Sequence, residues 1–434
     1  MGDVTSFSHK LNCIRPDFFP PLLGADDAGN ADDIKNRLLE DSNNIVRAVS
    51  GLKIHVRPKT EELDINDVVS FDEEISHKEL FELGDTSDNV SDTEEKNTYK
   101  QEIVEAIDAA KNYVPADKES QSGGVSDYPI VTFLGTGSSI PSKYRNVSNI
   151  LVETSHNSFI ILDCGEGSIS QMVRLFGETR SREILRNLKC VYISHMHADH
   201  HLGLINIVQY RDEELSTSEA GRDKLYIVAT DRLVQFWINY HAKFEPLLTN
   251  CEFVKCERLI LYQERDEATL EENPNKRFQK LYPRELKEFL QHVGLSEFYT
   301  CRAIHCPNAF CAALRTEDGF KFSYSGDTRP CEKFRDISTW GGSPDLLIHE
   351  ATMEHFMMMD AIIKKHSTFT EAIQEGRAMG AKFTMLTHFS QRYAKIPVFE
   401  EIQGQPNVGV AFDNMVVHKN NWRSIPGLYP ALSR

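Results

Sequence analysis

The chain has 434 residues, 40% hydrophobic and 26% charged, with 48 basic against 65 acidic side chains and a formal net charge of -17. That composition fits a folded protein of one large domain plus an appendage, or of two domains, and excludes collagen-like and wholly disordered chains. A polyacid repels nucleic acid, so the charge also argues against an RNA partner unless the acid is confined to one part of the chain.

Position settles that condition. Residues 1–60 hold 8 acids and 8 bases, residues 61–120 hold 19 acids against 5 bases, and residues 121–434 hold 38 against 35. The first stretch carries a proline-punctuated patch, Arg15-Pro16-Asp17-Phe18-Phe19-Pro20-Pro21, and an apolar run from Ile45 to Ile54. Residues 1–60 are therefore expected to be a remnant of a larger element or a surface strap. Residues 61–127 read as an acidic, solvated linker. Its exception is Lys100 to Val114, where Ile103, Val104, Ile107, Ala110 and Val114 recur at helical spacing. Gln121-Ser122-Gly123-Gly124 marks a boundary. No run is long and apolar enough for a membrane span, and the polar start at Met1 is no secretory leader. Nine scattered cysteines without a C-x-x-C pair suit free thiols in a reducing compartment, with Cys301, Cys306 and Cys311 expected as packed thiols.

From Tyr128 the texture changes. Short β-rich runs (Ile130 to Leu134, Asn149 to Glu153, Ser158 to Asp163, Cys190 to Ser194, Lys224 to Ala229) alternate with helical stretches at Leu202 to Arg211 and Arg232 to His241. Further runs follow at Lys321 to Ser325, Leu346 to His349 and Lys382 to His388. This pattern predicts an α/β domain of sheets covered by helices over 128–434.

The sharpest feature is Ser194-His195-Met196-His197-Ala198-Asp199-His200-His201, directly behind an apolar strand, where an α/β sheet delivers residues to a ligand crevice. In an extended segment His195 and His197 point the same way and can reach one ion, while Asp199 and His200 follow where the chain turns and can serve a second. Three solitary candidates lie at other strand ends: His305, Asp327 and His388. A single strand-end His is more often a hydrogen-bonded structural residue. Three in this order, behind H-x-H-x-D-H, favour a two-metal site. Asp163, in Leu162-Asp163-Cys164-Gly165, is placed to orient a ligand histidine. Gly135-Thr136-Gly137-Ser138 lacks the lysine of a phosphate loop and reads as a tight turn beside the site.

These residues resemble the metallo-β-lactamase superfamily, which implies an αββα sandwich and a dinuclear zinc site. The superfamily hosts thioester hydrolases, lactonases and nucleases alike. Pro141-Ser142-Lys143-Tyr144-Arg145-Asn146, His349-Glu350-Ala351-Thr352, His366-Ser367-Thr368, Phe389-Ser390-Gln391-Arg392-Tyr393 and Ala411-Phe412-Asp413 narrow the resemblance to ribonuclease Z, over about residues 128 to 420. Leu11 to Pro20 is similar to the region joining the two halves of that family's long form. The chain thus resembles the catalytic C-terminal half, with an N-terminal extension and acidic linker, and without the other half that carries the arm gripping the tRNA elbow.

The resemblance implies two Zn2+ per chain, one held by His195, His197 and His305, the other by Asp199, His200 and His388, with Asp327 bridging. It implies that Asp199 takes the proton of the attacking water, and that Glu350 with His366 protonates the departing 3′ oxygen. It assigns Lys143, Arg145, Asn146 and Thr368 to substrate binding. The implied reaction removes the 3′ trailer of precursor tRNA and leaves a tRNA 3′-hydroxyl and a 5′-phosphorylated trailer. Implied partners are precursor tRNA and either the other half or a homodimer mate, with no membrane. The implied location is intracellular, in the nucleus, mitochondrion or cytosol. Two other classes stand beside this reading: a hydrolase of the same fold acting on a thioester, lactone or small phosphodiester, and a tRNA-binding half lacking turnover.

Overall fold

The computed structural model describes residues 127–217, 223–261, 284–392 and 404–429, together with Ile402 and scattered positions among 12–20 and 101–113. The acidic stretch 61–100, the Ile45 to Ile54 run, the Gln121 to Gly124 boundary and Tyr393 lie outside the described residues. Within the expected helix from Lys100 to Val114, Gln101, Glu105, Ala106 and Asp108 to Ala110 are helical.

Alternation of apolar side chains along the strands builds the layers. On β2 (Asn149–Ser155) and β3 (Ser158–Cys164), Ile150, Val152, Ile160 and Leu162 face one core, while Leu151, Phe159 and Ile161 face another. Successive strand side chains point to opposite faces, so a sheet apolar on both sides must be covered twice. The first sheet runs β13-β1-β2-β3-β4-β5-β6, with β1 (Ile130–Gly135), β4 (Leu188–Tyr192), β5 (Leu225–Ala229), β6 (Cys251–Lys255) and β13 (Met415–His418). Its β3 to β6 are parallel. The second runs β12-β11-β10-β9-β8-β7, with β7 (Leu295–Arg302), β8 (Phe310–Thr316), β9 (Lys321–Tyr324), β10 (Leu346–Glu350), β11 (Phe383–Thr387) and β12 (Val408–Val410). Here β9 to β12 are parallel.

The inner faces meet through Phe133, Ile150, Ile160 and Tyr192 from one sheet and Phe298, Phe310, Phe322, Ile348 and Met385 from the other. Outside the first sheet lie α1 (Ser168–Arg186), α3 (Leu204–Thr217) and α4 (Asp231–Lys243), which contribute Met172, Leu185, Ile207, Leu233 and Trp237 to the second core. Outside the second sheet, α6 (Glu332–Thr339) covers β7 and β8, and α8 (Phe369–Ala378) covers β10 and β11. The result is the expected αββα sandwich. Between these, among the described residues, lie α2 (Ala198–His201), α5 (Arg284–Val293) and α7 (Met358–Lys364).

One departure concerns the N-terminal patch. Phe18 and Phe19 are not on a surface strap but inside the central core, where Val416 N donates to Phe18 O at 2.7 Å and the Phe19 ring meets Phe412 edge-on. Burying two phenylalanine side chains contributes about 3–6 kcal/mol relative to exposing them. This piece of residues 1–60 therefore belongs to the domain.

Candidate metal centre

Every residue of the centre sits at the C-terminal end of a strand. Asp163 ends β3, the stretch Ser194 to His201 follows β4, and His305 follows β7. Asp327, Glu350 and His388 end or follow the parallel β9, β10 and β11. Parallel strands deliver their C-terminal residues to one edge, so residues as far apart as Asp163 and His388 converge there. The turn after β3 and the start of α3 pass so close to the histidine motif that only glycine fits. A Cβ at Gly165 would lie 2.3 Å from Asp199 O, and one at Gly203 would lie 2.1 Å from Gly165 O. Asp163 (φ 55°) and His388 (φ 61°) adopt the left-handed backbone region that side-chain-bearing residues seldom take. Strain of that kind collects where geometry serves a site.

Two sets of ligand atoms form. In the first, His195 Nε2 and His305 Nε2 approach His197 Nδ1 to 2.9 and 3.2 Å, and Asp327 Oδ2 stands 3.5 and 3.6 Å from His195 and His305. In the second, Asp199 Oδ2 lies 3.5 Å from both His200 Nε2 and His388 Nε2, and Asp327 lies 3.4 and 3.3 Å from them. Ligands about 2.0–2.1 Å from a tetrahedral zinc stand about 3.3 Å apart, so these separations match atoms sharing an ion. Moreover, His200 Nε2, His388 Nε2 and Asp327 Oδ1 are buried without a hydrogen-bond partner among the described residues. Leaving three such atoms unpaired in one spot is costly, and a cation between them removes the cost. The donor set of imidazoles and carboxylates suits zinc.

The outer nitrogens are anchored, which fixes the tautomers. His200 Nδ1 donates to Asp163 Oδ2 at 2.7 Å, His195 Nδ1 contacts Ser194 Oγ at 2.9 Å, and Ser194 Oγ in turn donates to Asp163 at 2.7 Å. Tyr324 OH and Ser194 N also donate to Asp163, each at 2.7 Å. His305 Nδ1 donates to Lys365 O at 2.9 Å, and His388 Nδ1 pairs with Thr352 Oγ1 at 2.9 Å. Each of these four rings thus turns Nε2 inward. Burial opposes the charge on Asp327, yet His388 and His200 pull its carboxyl well below the carboxylate range, while burial holds His195 well below the usual imidazole range.

Beside the ligands, His366 Nδ1 lies 3.0 Å from Glu350 Oε1 and 3.9 Å from Asp327 Oδ2. Burial works against its charge, but Glu350 prevails and raises His366 to about 9.

The loop from Pro141 to Asn146 divides its residues. Lys143 is exposed, beside the Tyr144 ring. Asn146 ties the loop inward, donating from Nδ2 to Glu166 O at 3.0 Å and from its backbone N to Asp413 Oδ2 at 2.6 Å. Arg145 departs from the expectation of a phosphate contact. Its guanidinium is buried between Phe389 and Phe412, with Nη1 donating to Thr136 Oγ1 at 2.5 Å and Ala411 O at 2.9 Å. Burial lowers it to about 10, against the pull of Asp413, and burial raises the Asp413 carboxyl to about 6. Thr368 departs likewise: it is the buried N-cap of α8, in a capping box with Glu371. Its hydroxyl is engaged by the helix rather than turned to a substrate.

Other residues join that the motifs did not single out. Ser139 N donates to Asp199 Oδ2 at 2.7 Å, so the turn from Gly135 to Ser138 does adjoin the centre. Tyr324 was hidden in an ordinary strand. Cys306, expected to pack with Cys301 and Cys311, stands instead within ligand reach of His195, His197 and His305, whereas Cys301 and Cys311 face each other on β7 and β8. His201 is the one histidine of the motif outside the two ligand sets. It packs edge-on against Phe236 and Trp237.

The family model described as Anti-Pycsar protein Apyc1 matches residues 130–397. The zinc phosphodiesterase ELAC protein 2 of Mus musculus is 37% identical over 98% of this chain and 46% of its own length. The mitochondrial ribonuclease Z of Drosophila melanogaster is 39% identical over 70% of this chain and 37% of its own. A crystal structure of a long-form RNase Z from yeast superposes with a TM-score of 0.67 at 24% identity, over 100% of this chain and 62% of that one. The chain spans about half the length of the curated relatives it matches.

Proposed function

We propose that this chain, which belongs to the family described as Anti-Pycsar protein Apyc1 and stands among the ribonuclease Z relatives of the metallo-β-lactamase fold, is the catalytic part of a zinc-dependent endoribonuclease. Its substrate is precursor tRNA, from which it removes the 3′ trailer to leave a tRNA 3′-hydroxyl and a 5′-phosphorylated trailer. The observation that carries the reading is the pairing of two ligand sets sharing Asp327 with the Glu350–His366 pair at hydrogen-bond distance beside them. A lactone or thioester has a better leaving group and makes less demand on such an acid.

His195, His197 and His305 would hold one zinc and Asp199, His200 and His388 the other, with Asp327 within reach of both sets. Zinc bound there supplies Lewis acidity, lowering the pKa of water and neutralising charge on the phosphodiester. Asp199 accepts the proton of the attacking water. His366, kept protonated by Glu350, gives its proton to the departing 3′ oxygen, which leaves poorly without one. Lys143 and Asn146 line the approach, Lys143 to meet a phosphate and Asn146 to hold the loop that carries it. The N-terminal half of the long form, or a second copy of this chain, supplies further tRNA contacts. The chain's place is the mitochondrion or the nucleus, and the mitochondrial relative from Drosophila supports the first. Among the described residues no helix is long and apolar enough to cross a membrane.

The test is a precursor tRNA labelled at its 5′ end, incubated with protein shown by metal analysis to carry two zinc equivalents. Cleavage directly after the discriminator nucleotide, with a 3′-hydroxyl, is the expected outcome. Binding without cleavage would make the chain a tRNA-holding half, and full activity at one zinc equivalent would remove the two-metal assignment.

A further inference from the structure

The segment joining the two members of the acid pair leaves the sheet and returns to it. Its ends are pinned at the catalytic groups: Thr352 Oγ1 donates to Glu350 Oε2 at 2.5 Å, Met353 pairs with Thr368 in an isolated bridge, and His366 N donates to Ala361 O at 2.9 Å. Arg329 braces it, Nη1 donating to His366 O at 2.8 Å and Nη2 contacting Met358 Sδ at 3.8 Å. Between those anchors, Phe356 is 81% exposed, Met359 69%, Ile362 48% and Ile363 72%. A single exposed apolar residue is ordinary, but a group on one short helical turn and α7 marks a surface that meets something.

The surroundings indicate what. Lys364 and Lys365 are exposed at the end of α7, and Arg392 lies 3.5 Å from Met357 Sδ and 3.9 Å from Asp360. The Lys365 carbonyl accepts from the ligand His305, so α7 ends against the metal centre. Phe356 is four residues from Thr352, a span of at most ~14 Å. An aromatic ring with apolar backing and flanking cations is the chemistry of a single-stranded nucleic-acid platform, where each base has a face to stack and each phosphate a cation to meet. The side of the reaction follows from the proton: His366 serves the 3′ oxygen that leaves, so the nucleotide carrying that oxygen lies on the side of His366 and α7.

We propose that Phe356, with the exposed Met359 and Ile363 on the helix that follows it, is the stacking platform for the unpaired base of the nucleotide whose 3′ oxygen departs. This rests on the precursor-tRNA reading above and adds a specificity-determining residue to it. Stacking tolerates any base, so the platform accepts every discriminator identity while distinguishing a base from none.

The experiment is a cycle of four steady-state measurements, with wild-type and Phe356→Ala protein against precursor tRNA carrying either a normal or an abasic discriminator nucleotide. The abasic substrate is expected to raise KM for the wild type about 10-fold, Phe356→Ala is expected to do the same, and the two changes together little more than either. Circular dichroism checks that the variant folds. Penalties that multiply independently, so that Phe356→Ala protein still distinguishes a normal from an abasic nucleotide as strongly as the wild type does, overturn the proposal while leaving the functional reading standing. Phosphatidylserine-vesicle flotation or a dimer mass in light scattering that disappears in Phe356→Ala, with RNA kinetics unaltered, would assign the surface to a membrane or a second copy and also overturn it. A zinc-loaded wild-type chain inert toward precursor tRNA overturns the functional reading and this proposal with it.

Discussion

The imidazole of His366 and the carboxylate of Glu350 meet at 3.0 Å, and the rest of that carboxylate is consumed by the fold: Thr328 N donates to Oε1 at 2.8 Å and Thr352 Oγ1 to Oε2 at 2.5 Å. Thr352 also accepts from His388 Nδ1, so one carboxylate both raises His366 and steadies His388. A buried carboxylate with its lone pairs committed in this way stays ionised and holds its proton on the neighbour.

The sign of the pH dependence follows. In the proposed role His366 acts when protonated, and Glu350 raises it to about 9, so kcat/KM should fall on the alkaline side as pH rises through that region. Glu350→Gln removes the raising charge and should move that limb to lower pH. His366→Ala should lose the limb and about 10²–10⁴-fold in rate, with zinc content preserved. A pH–rate profile of the three proteins decides it. An alkaline limb that stays put in Glu350→Gln would dissociate the pair.

Asp163 touches no metal-facing atom, yet four donors converge on it: Ser194 N, Ser194 Oγ, Tyr324 OH and His200 Nδ1. Through Ser194 it reaches His195 as well, and so steers one ligand from each set. Asp163→Asn should weaken zinc affinity about 10–100-fold, measured by competition with a chromogenic chelator. Affinity equal to the wild type would reduce Asp163 to a packing role.

What was legible in the chain was what is local. The spacing of His195, His197, Asp199 and His200 dictates their directions once a strand precedes them, and His305, Asp327 and His388 show themselves as lone ligand types behind apolar runs. Arg145 was not legible, because its surroundings come from Phe389, Phe412 and Asp413, over 240 positions away, and a cation in a polar loop looks the same whether it turns in or out. Phe18 and Phe19 have the same non-local cause, since their neighbours are Phe412 and Val416. Thr368 is different. Thr368-Phe369-Thr370-Glu371 is a capping-box signature, so a local signal was present and the functional motif overlying it masked the helix start.

The charge distribution yields a prediction about residues 61–99. The window 61–120 carries 19 acids against 5 bases, whereas 121–434 is near balance with 38 against 35. Charges of a segment that its composition reads as a solvated linker act on tRNA mainly through association, and salt screens them. Excision of 61–99, which spares Ala110 and its neighbours in the core, should leave kcat within about twofold. It should lower KM at low salt more than at physiological salt. A collapse of kcat would place the segment in the active domain.

Arg145 and Lys143 are two residues apart and should fail differently. Arg145 sits between two aromatic rings and shares Thr136 with Asp413, which receives the Thr136 hydroxyl at 2.6 Å. Its removal leaves the Thr136 hydroxyl oxygen and the buried Ala411 carbonyl short of a donor and takes the nearby positive charge from the buried Asp413, a loss of about 3 kcal/mol. Arg145→Ala should therefore lower the melting temperature by several degrees, even in zinc-saturated protein. Lys143 is exposed, so Lys143→Ala should leave the melting curve in place, raise KM for precursor tRNA and reduce the slope of log KM against log salt by about one. Thermal melts and a salt series on both variants separate the roles, and an Arg145→Ala protein with wild-type stability and a changed salt slope would return Arg145 to the phosphates.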